Sequence, residues 1–399
     1  MIEPFLSAIP VLKRLEDAEF EAYFVGGSVR DYLLNRQISD VDIATSATPK
    51  EVKGIFSKTV DIGIEHGTVL VLFDHKSYEI TTFRTEGDYQ DYRRPKEVSF
   101  IRNLNEDLQR RDFTMNAMAM DRTGTLIDPF NGQSAIRKKE IQTVGSATDR
   151  FQEDALRMMR AVRFVSQLSF SIEDATLQAL TTLVPLLKNI AIERKRAEFE
   201  KILVGNNRNN AIKILLETNL FSYLPGLANQ EKQIEKLLDF NCEDLNKNEM
   251  WALLLFCLNV VEKSIEDFLR NWRLPVKEIK DIQHILFFVE KRLEQEWAVH
   301  DLYIAGSNLI TSTEKLYNVI IGLKGTESIQ NLLNQYQKLP IKQRSDLAVT
   351  GGDLMEWFNQ KGGPWLKKTI LKIEQAVVDA KVENDKQKIK EWLLTCSQK

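Results

Sequence analysis

Two aspartates, Asp40 and Asp42, stand one valine apart in SDVDIAT. The β-branched residues around them predict a strand, where side chains two apart share a face. Two carboxylates on one face repel unless a cation lies between them. Magnesium accepts such oxygen ligands and keeps open positions for phosphate oxygens. Two ions held this way activate an attacking hydroxyl and stabilise a leaving pyrophosphate. Asp40 and Asp42 are therefore the expected catalytic residues and Mg2+ ligands. Just upstream, FEAYFVGG predicts a strand ending in a glycine turn, and SVRDYLLN a helix. Gly26 and Gly27 let the backbone approach a triphosphate, and the helix start favours anions. Ser28 can donate a hydrogen bond, and Arg30 can grip a phosphate. Glu79, in SYEITTFR, has two readings, a third carboxylate or a surface strand residue, and is not assigned to the site.

Arginine is concentrated downstream. DLQRRDFTMNAMAM carries Arg110, Arg111, Asp112 and Asn116. Two arginines beside an aspartate can bind phosphate and ribose, and a carboxylate or amide on the 2′-hydroxyl selects ribonucleotides. The same aspartate could instead cap a helix among surface charges. In RFQEDALRMMRAVRF, Asp154, Arg157, Arg160 and Arg163 recur every third residue. On one helix this row winds slowly around the cylinder over roughly 13 Å, the reach from a base to its triphosphate. A solvated, salt-bridged face is the ordinary reading of a charge run, but it does not explain three arginines against one or two acids. An ionised Asp only accepts hydrogen bonds and an Arg only donates them. Cytosine and adenine both offer an amino donor beside a ring-nitrogen acceptor; uracil and guanine reverse that order. An Asp154–Arg157 pair would accept C and A and reject U and G, leaving Arg160 and Arg163 for phosphates.

These residues need a scaffold. Up to about residue 145 the chain reads as mixed α/β: VDIATS, GTVLVLFD and SYEITTFR as strands, ATPKEVKGIF as a helix capped by Thr48 with Pro49 first. From Asp149 onward apolar residues recur at helical spacing, broken at turns such as YLPGLAN and WRLPVKE. The expected fold class is α+β: a head with a small mixed sheet, then an all-helical remainder. FRTEGDYQDYRRPKEVSF, residues 83–100, reads as an exposed loop. The 399 residues, 43% hydrophobic and 28% charged with net charge −3, are those of an ordinary soluble protein with several cores. No apolar run is long enough to span a membrane, and MIEPFLSAIPVLKRLEDAEF is amphipathic rather than a secretory signal. Three scattered cysteines fit a reducing, cytoplasmic setting, and four histidines form no cluster. Near-neutral net charge means that a large anionic partner must meet a local basic surface.

The order GG-x-VRD then D-x-D resembles the nucleotidyltransferase superfamily that includes DNA polymerase β, and more closely the class II tRNA nucleotidyltransferases. RRDFTMNA resembles that family's second motif, also found in bacterial poly(A) polymerases, and Arg111 is its best match to a nucleotide-binding residue. E-D-x-x-R, residues 153–157, resembles its base-reading motif. IERKRAEFEKIL, SYLPGL and TGGDLMEWFNQKGGPWLKKTI carry the likeness through the helical part. The resemblance implies a polymerase-β-like head at 1–145, a neck at 146–205, a body at 206–310 and a tail at 311–399. It implies addition of C, C and A to the tRNA 3′ end from CTP and ATP, with Gly27 and Arg30 also in the nucleotide site, and a homodimer. A flexible loop at 83–100, absent from CC-only relatives, favours the complete activity; a passive connection is the plainer reading. Lys361, Lys367, Lys368 and Lys372 could meet tRNA phosphates, although a solvated helix face is the ordinary reading of each. His300-Asp301 lacks companion histidines, so no phosphohydrolase activity is expected. Poly(A) polymerase, A-only or CC-only activity and an inactive tRNA-binding protein are the alternatives.

Overall fold

The computed structural model of the chain describes residues 1–87, 89–90, 94–95 and 98–396. Two compact units emerge: Met1–Glu235 with Asn271–Arg273, and Lys236–Arg270 with Leu274–Lys399.

The first unit opens with α1 (Phe5–Asp17), whose Phe5, Ala8, Val11, Leu12 and Leu15 repeat at helical spacing and are fully buried. β1 (Ala22–Val25) runs into Gly26 and α2 (Gly27–Leu33). Next come β2 (Asp42–Thr45), α3 (Pro49–Ile55), β3 (Thr59–Gly63), β4 (Thr68–Phe73) and β5 (Lys76–Thr82). The expected cap of α3 is present: the Thr48 hydroxyl accepts the Glu51 N–H, and Glu51 accepts the Thr48 N–H at 2.7 Å.

Within the stretch expected as a loop, β6 (Arg84–Glu86) pairs antiparallel with β9 (Val98–Phe100), and β7 (Tyr89–Gln90) with β8 (Arg94–Pro95). Both ends of that stretch are thus paired strand rather than loop, because Thr85, Val98 and Phe100 are good strand formers. Residues 88, 91–93 and 96–97 of the same expectation lie outside the described residues.

α4 (Leu104–Gln109), β10 (Ala119–Met120), β11 (Leu126–Ile127) and α5 (Gly132–Lys138) complete the sheet region. Its seven strands lie in the order β11-β10-β1-β2-β5-β4-β3. Neighbours are antiparallel except β2 and β5, which run parallel. Strand alternation sends Phe24, Ile43, Val69 and Ile80 to one face, where all are fully buried. α1 covers part of that face, with the Phe5 and Phe24 ring centres 4.8 Å apart. On the opposite face, Phe83, Leu104 and Leu108 pack against Val25, Ala44 and Ala119.

Helices α6 (Ala147–Glu153), α7 (Leu156–Leu168), α8 (Asp174–Leu183), α9 (Ile192–Leu203), α10 (Arg208–Glu217) and α11 (Glu231–Glu235) follow. The stretch expected to be all-helical also holds a short strand, β13 (Ser171–Ile172), which pairs parallel with β12 (Glu140–Ile141) just before α6.

The second unit is helical: α12 (Lys247–Leu258), α13 (Glu262–Asn271), α14 (Val276–Glu294), α15 (Val299–Ile321), α16 (Glu327–Gln337), α17 (Gly351–Phe358), α18 (Pro364–Val378) and α19 (Lys386–Cys396). α12 is apolar almost all round and correspondingly buried. α15 bends at Gly306, whose φ of 67° is not helical. One core gathers Leu302, Ile310, Leu332 and Leu339, and another gathers Leu354, Ile373, Val377 and Ile389. Among the described residues no helix is long and apolar enough to cross a membrane.

Just beyond α9, Gly205 packs directly against Ser166 of α7. The Ser166 hydroxyl donates to the Ile202 carbonyl at 2.7 Å, and the Asn207 N–H donates to the Ser166 carbonyl at 2.8 Å. A Cβ on Gly205 would lie 2.1 Å from Ser166 Oγ and 2.7 Å from its backbone oxygen. Gly205→Ala should therefore force these helices apart and lower stability by about 2 kcal/mol. A denaturant melt with an unchanged midpoint would contradict this packing.

Candidate active site

One cleft of about 760 Å³ in the first unit is lined by Gly26, Gly27, Arg30, Asp42, Arg111, Asp154, Arg157, Arg160 and Arg163. All the expected nucleotide-binding positions therefore open onto one space. Its described lining holds eight arginines and three aspartates, a positive excess suited to a polyanion.

Asp42 begins β2 at the end of the sheet. The strand expected to carry both aspartates starts there, so Asp40 lies in the connection two residues earlier, exposed to solvent. The pleat does not fix the direction of Asp40, yet its charge still acts on Asp42. Glu79 stands opposite Asp42 on the parallel neighbour β5, which puts both side chains on one face. Asp42 is exposed at the cleft, yet neighbouring protein partly desolvates its carboxyl, Glu79 and Asp40 repel it, and Arg111 only partly offsets them. Its pKa is raised above the usual carboxylate range. Among the described residues no group of three or more His, Cys, Asp or Glu is drawn together tightly enough to hold a metal ion. Asp40, Asp42 and Glu79 are nevertheless hard oxygen donors with unbalanced negative charge, a donor set that fits a divalent magnesium ion.

Gly26 adopts φ 72°, and a Cβ there would meet Arg111 Nη1 at 3.1 Å and Asp42 Oδ2 at 3.7 Å. This turn, more than Gly27, is where glycine is required. The Ser28 hydroxyl turns back to donate to the Val25 carbonyl at 3.0 Å; it is buried in the turn, so the donor expected there is already used.

The cleft arginines are braced by carboxylates. Arg30 donates through Nε to Asp31 at 3.0 Å and through Nη1 to Asn116 Oδ1 at 2.8 Å. Asp107, almost wholly buried, accepts from Arg110 at 2.8 Å and Arg111 at 3.2 Å. Burial raises the Asp107 pKa, but the two arginines more than offset this and hold it below the usual range.

Asp112 accepts from the Phe113 N–H at 2.8 Å, Asn116 Nδ2 at 3.0 Å and Arg160 Nε at 2.7 Å. Burial opposes its charge, yet Arg160 and Asn116 keep its pKa well below the usual range. The ribose contact expected of Asp112 or Asn116 thus meets groups already tied into an Arg30–Asn116–Asp112–Arg160 chain. Arg163 pairs with Glu198 of α9 at 3.0 Å; burial pushes its guanidinium pKa down to about 10, against the pull of Glu198. Arg160 and Arg163 are therefore not bare cations awaiting phosphate.

The single helix expected across 154–163 is broken. α6 ends at Glu153, Asp154 has extended angles of φ −136° and ψ 102°, and α7 starts at Leu156. The Asp154 carboxylate accepts the Leu156 N–H at 3.1 Å, a side-chain bond that competes with helical continuation. Asp154 is not paired with Arg157. It accepts from Arg194 of α9 at 2.7 Å and 3.2 Å. Arg157 donates to Glu153 at 2.5 Å and to the carbonyls of Arg150 and Arg110, each at 3.1 Å. An acceptor and a donor, each separately pinned, thus face the same cleft.

Sequence reasoning missed Arg194, Glu198 and Asp107 as braces. IERKRAEFEKIL contained two of them, but nothing in its spacing says that α9 lies against α7. Glu79 was legible only as one of two readings.

The fold is that of a nucleotidyltransferase head followed by a helical remainder, and comparison with known proteins agrees. Family models match as the poly A polymerase head domain over residues 22–142, as the probable RNA and SrmB-binding site of polymerase A over 169–231, and as tRNA nucleotidyltransferase domain 2 over 245–393. CCA-adding enzymes of Bacillus cereus and Bacillus anthracis are each 47% identical over 397 residues, covering 99% of this chain and 100% of theirs. The crystal structure of the Bacillus stearothermophilus CCA-adding enzyme in complex with CTP superposes with a TM-score of 0.91 at 44% identity, covering 100% of this chain and 98% of that one. The Thermotoga maritima CCA-adding enzyme complexed with tRNA, at 22% identity and a TM-score of 0.61, shares the fold. The chain belongs to the family of CCA-adding enzymes, the class II tRNA nucleotidyltransferases.

A raised carboxyl pKa in the folded state favours the protonated form. Its stabilising contribution is full below the ordinary carboxylate value and is lost as pH rises through the raised one. In chelator at neutral pH, Asp42→Asn should therefore melt above the unaltered protein, with the gap closing as pH falls toward the carboxylate range. Equal melting temperatures at neutral pH would show that Asp42 carries no such strain.

Proposed function

We propose that this protein adds and repairs the 3′-terminal CCA of tRNA without a template, using CTP and ATP and releasing pyrophosphate. The observation that carries this reading is the shared cleft, which has Asp42, with Glu79 across the strand, together with Asp154 and Arg157 and a surplus of arginines. The similar enzyme bound to CTP adds support.

In this mechanism the nucleotide enters with its base toward Asp154 and Arg157. The Asp154 carboxylate accepts from the amino group of cytosine or adenine, and Arg157 donates to the neighbouring ring nitrogen. Uracil and guanine would set acceptor against acceptor and donor against donor, leaving buried groups unpaired. Gly27, Arg30, Arg111, Arg160 and Arg163 hold the sugar and triphosphate by charge-assisted hydrogen bonds. Each of the four arginines keeps a carboxylate partner, so their positions are set before substrate arrives. Asp40 and Asp42 would hold Mg2+, which supplies Lewis-acid activation of the attacking 3′-hydroxyl and charge neutralisation at the leaving pyrophosphate in a two-metal scheme.

The head, neck, body and tail division at 1–145, 146–205, 206–310 and 311–399 belongs to the same reading. So do contact of the tail lysines with tRNA, a homodimer and a cytoplasmic location. The buried thiols of Cys242 and Cys257 are consistent with a reducing compartment.

The test uses tRNAs ending before C, after C, after CC and after CCA, each given labelled CTP or ATP. Ordered growth that stops at CCA is expected, and Asp40→Ala should reduce it to background while folding normally. Continued A addition would favour poly(A) polymerase, arrest at CC or addition of A alone a partial enzyme, and no addition an RNA-binding protein.

Arg194 should act through Asp154. Arg194→Ala is expected to lower kcat/KM for CTP about tenfold and to narrow the preference for C and A over U and G, with Arg194→Lys restoring part of it. Unchanged discrimination in the alanine variant would remove Arg194 from the positioning of Asp154.

A further inference from the structure

The sheet's open face carries an apolar strip that the nucleotide cleft does not use. β-register aligns Asp42, Glu79, Leu70 and Val60 across four neighbouring strands, β2, β5, β4 and β3. Residues directly opposite share a face, so the row starts at the active-site carboxylates and continues in aliphatic side chains. Leu72 lies two residues along β4 from Leu70, on the same face, opposite Ser77. Val60 is 46% exposed and Leu72 44%. The same face is buried on the other side of Asp42, where Phe83, Leu104 and Leu108 cover Val25 and Ala44. Contiguous aliphatic exposure beside a catalytic group marks a contact surface.

The strip leads into a groove of about 550 Å³ lined by Leu72 and Ser77 with Lys58, His75, Lys76 and Asp74. Two lysines against one aspartate suit a phosphate backbone more than a second apolar protein surface.

Resting on the polymerising function above, we propose that this strip seats the last nucleotide of the RNA being extended. The incoming nucleotide occupies the side of Asp42 formed by Gly26, Gly27 and Arg111. The RNA 3′-hydroxyl must reach the same carboxylates, and the strip adjoins them on the Glu79 side. Leu70 lies one strand spacing of about 4.8 Å beyond Glu79, and Val60 a second spacing on. A terminal base there meets aliphatic carbon rather than hydrogen-bonding groups. Such contact is indifferent to base identity, because every base has an apolar face. That suits a protein whose RNA does not end in one constant base over the course of the additions. Lys58 and Lys76 then meet the preceding phosphates.

The Val60→Ser/Leu72→Ser protein is compared with the unaltered chain on a tRNA lacking its CCA. Both sites are nearly half exposed, so the fold should tolerate the change. The KM for this RNA should rise about tenfold, with the KM for CTP and the melting temperature unchanged. An unchanged KM for the RNA, or equal rises in both KM values, overturns the strip. Independently of turnover, the same RNA carrying 4-thiouridine as its last nucleotide is irradiated on the unaltered protein. Crosslinks within residues 58–77 support the strip, and crosslinks confined elsewhere overturn it. A chain that adds nothing to any tRNA overturns the function on which the strip rests; the crosslink then still decides whether RNA occupies this face.

Discussion

Mutual repulsion among arginines is the constraint on which the catalytic unit depends. Eight of them line one cleft. Like charges brought together out of bulk water cost several kcal/mol unless each finds a counter-charge. The chain supplies acids from separate elements: Asp31 from α2, Asp107 from α4, Asp112 beyond it, Glu153 at the end of α6 and Glu198 from α9. These pairs stabilise the fold and also aim the guanidinium groups. A triphosphate entering such a site meets donors whose rotamers are already restricted, so less ordering opposes binding. Positive charge still exceeds negative along the described lining, and attraction for a polyanion survives the pairing.

The same bracing binds the sheet region to the helices. Asp112 follows α4 and holds Arg160 of α7; Glu198 of α9 holds Arg163 of α7. Arg194, one turn earlier on α9, holds Asp154 in the break before α7. Because α7 carries Arg157, Arg160 and Arg163, its position sets all three of these cleft arginines together. Close packing at Gly205 and Ser166 fixes the spacing of α7 from α9, which is why a backbone contact remote from any nucleotide bears on the chemistry.

Much of this was legible in the sequence, for identifiable reasons. The strand–turn–helix at Gly26 and the cap at Thr48 are local devices, and local rules found them. Asp42 and the arginine row announced themselves as charge densities that an ordinary surface does not explain. The partners did not. Asp154 and Arg194 are separated by 40 positions, and Arg30 and Asn116 by 86. Only tertiary packing brings them together. The break at Asp154 was hidden because step-three spacing looks like continuous helix, while the competing bond from the Leu156 N–H to the Asp154 carboxylate leaves no periodic mark. Strand register, likewise invisible in spacing, sets Glu79 opposite Asp42.

Three aspartates of this cleft show how one functional group takes separate roles from its surroundings. Asp112 is buried among Arg160, Asn116 and a backbone N–H, so its charge is held at any ordinary pH and it serves as a fixed anchor. Asp42 is partly desolvated and repelled by Glu79 and Asp40 with only Arg111 opposing, so its carboxyl pKa is raised although its side chain is exposed at the cleft. Asp154 accepts from Arg194 on one side and from the Leu156 N–H on the other while lining the cleft, which leaves a fixed acceptor rather than a rotating one. A continuous helix through Asp154 would remove the bond to the Leu156 N–H and turn the carboxylate with the helical screw. The break thus separates two kinds of positioning: the Asp154 side chain is aimed by a local backbone bond and by α9, while the arginines that follow are aimed by the regular helix α7.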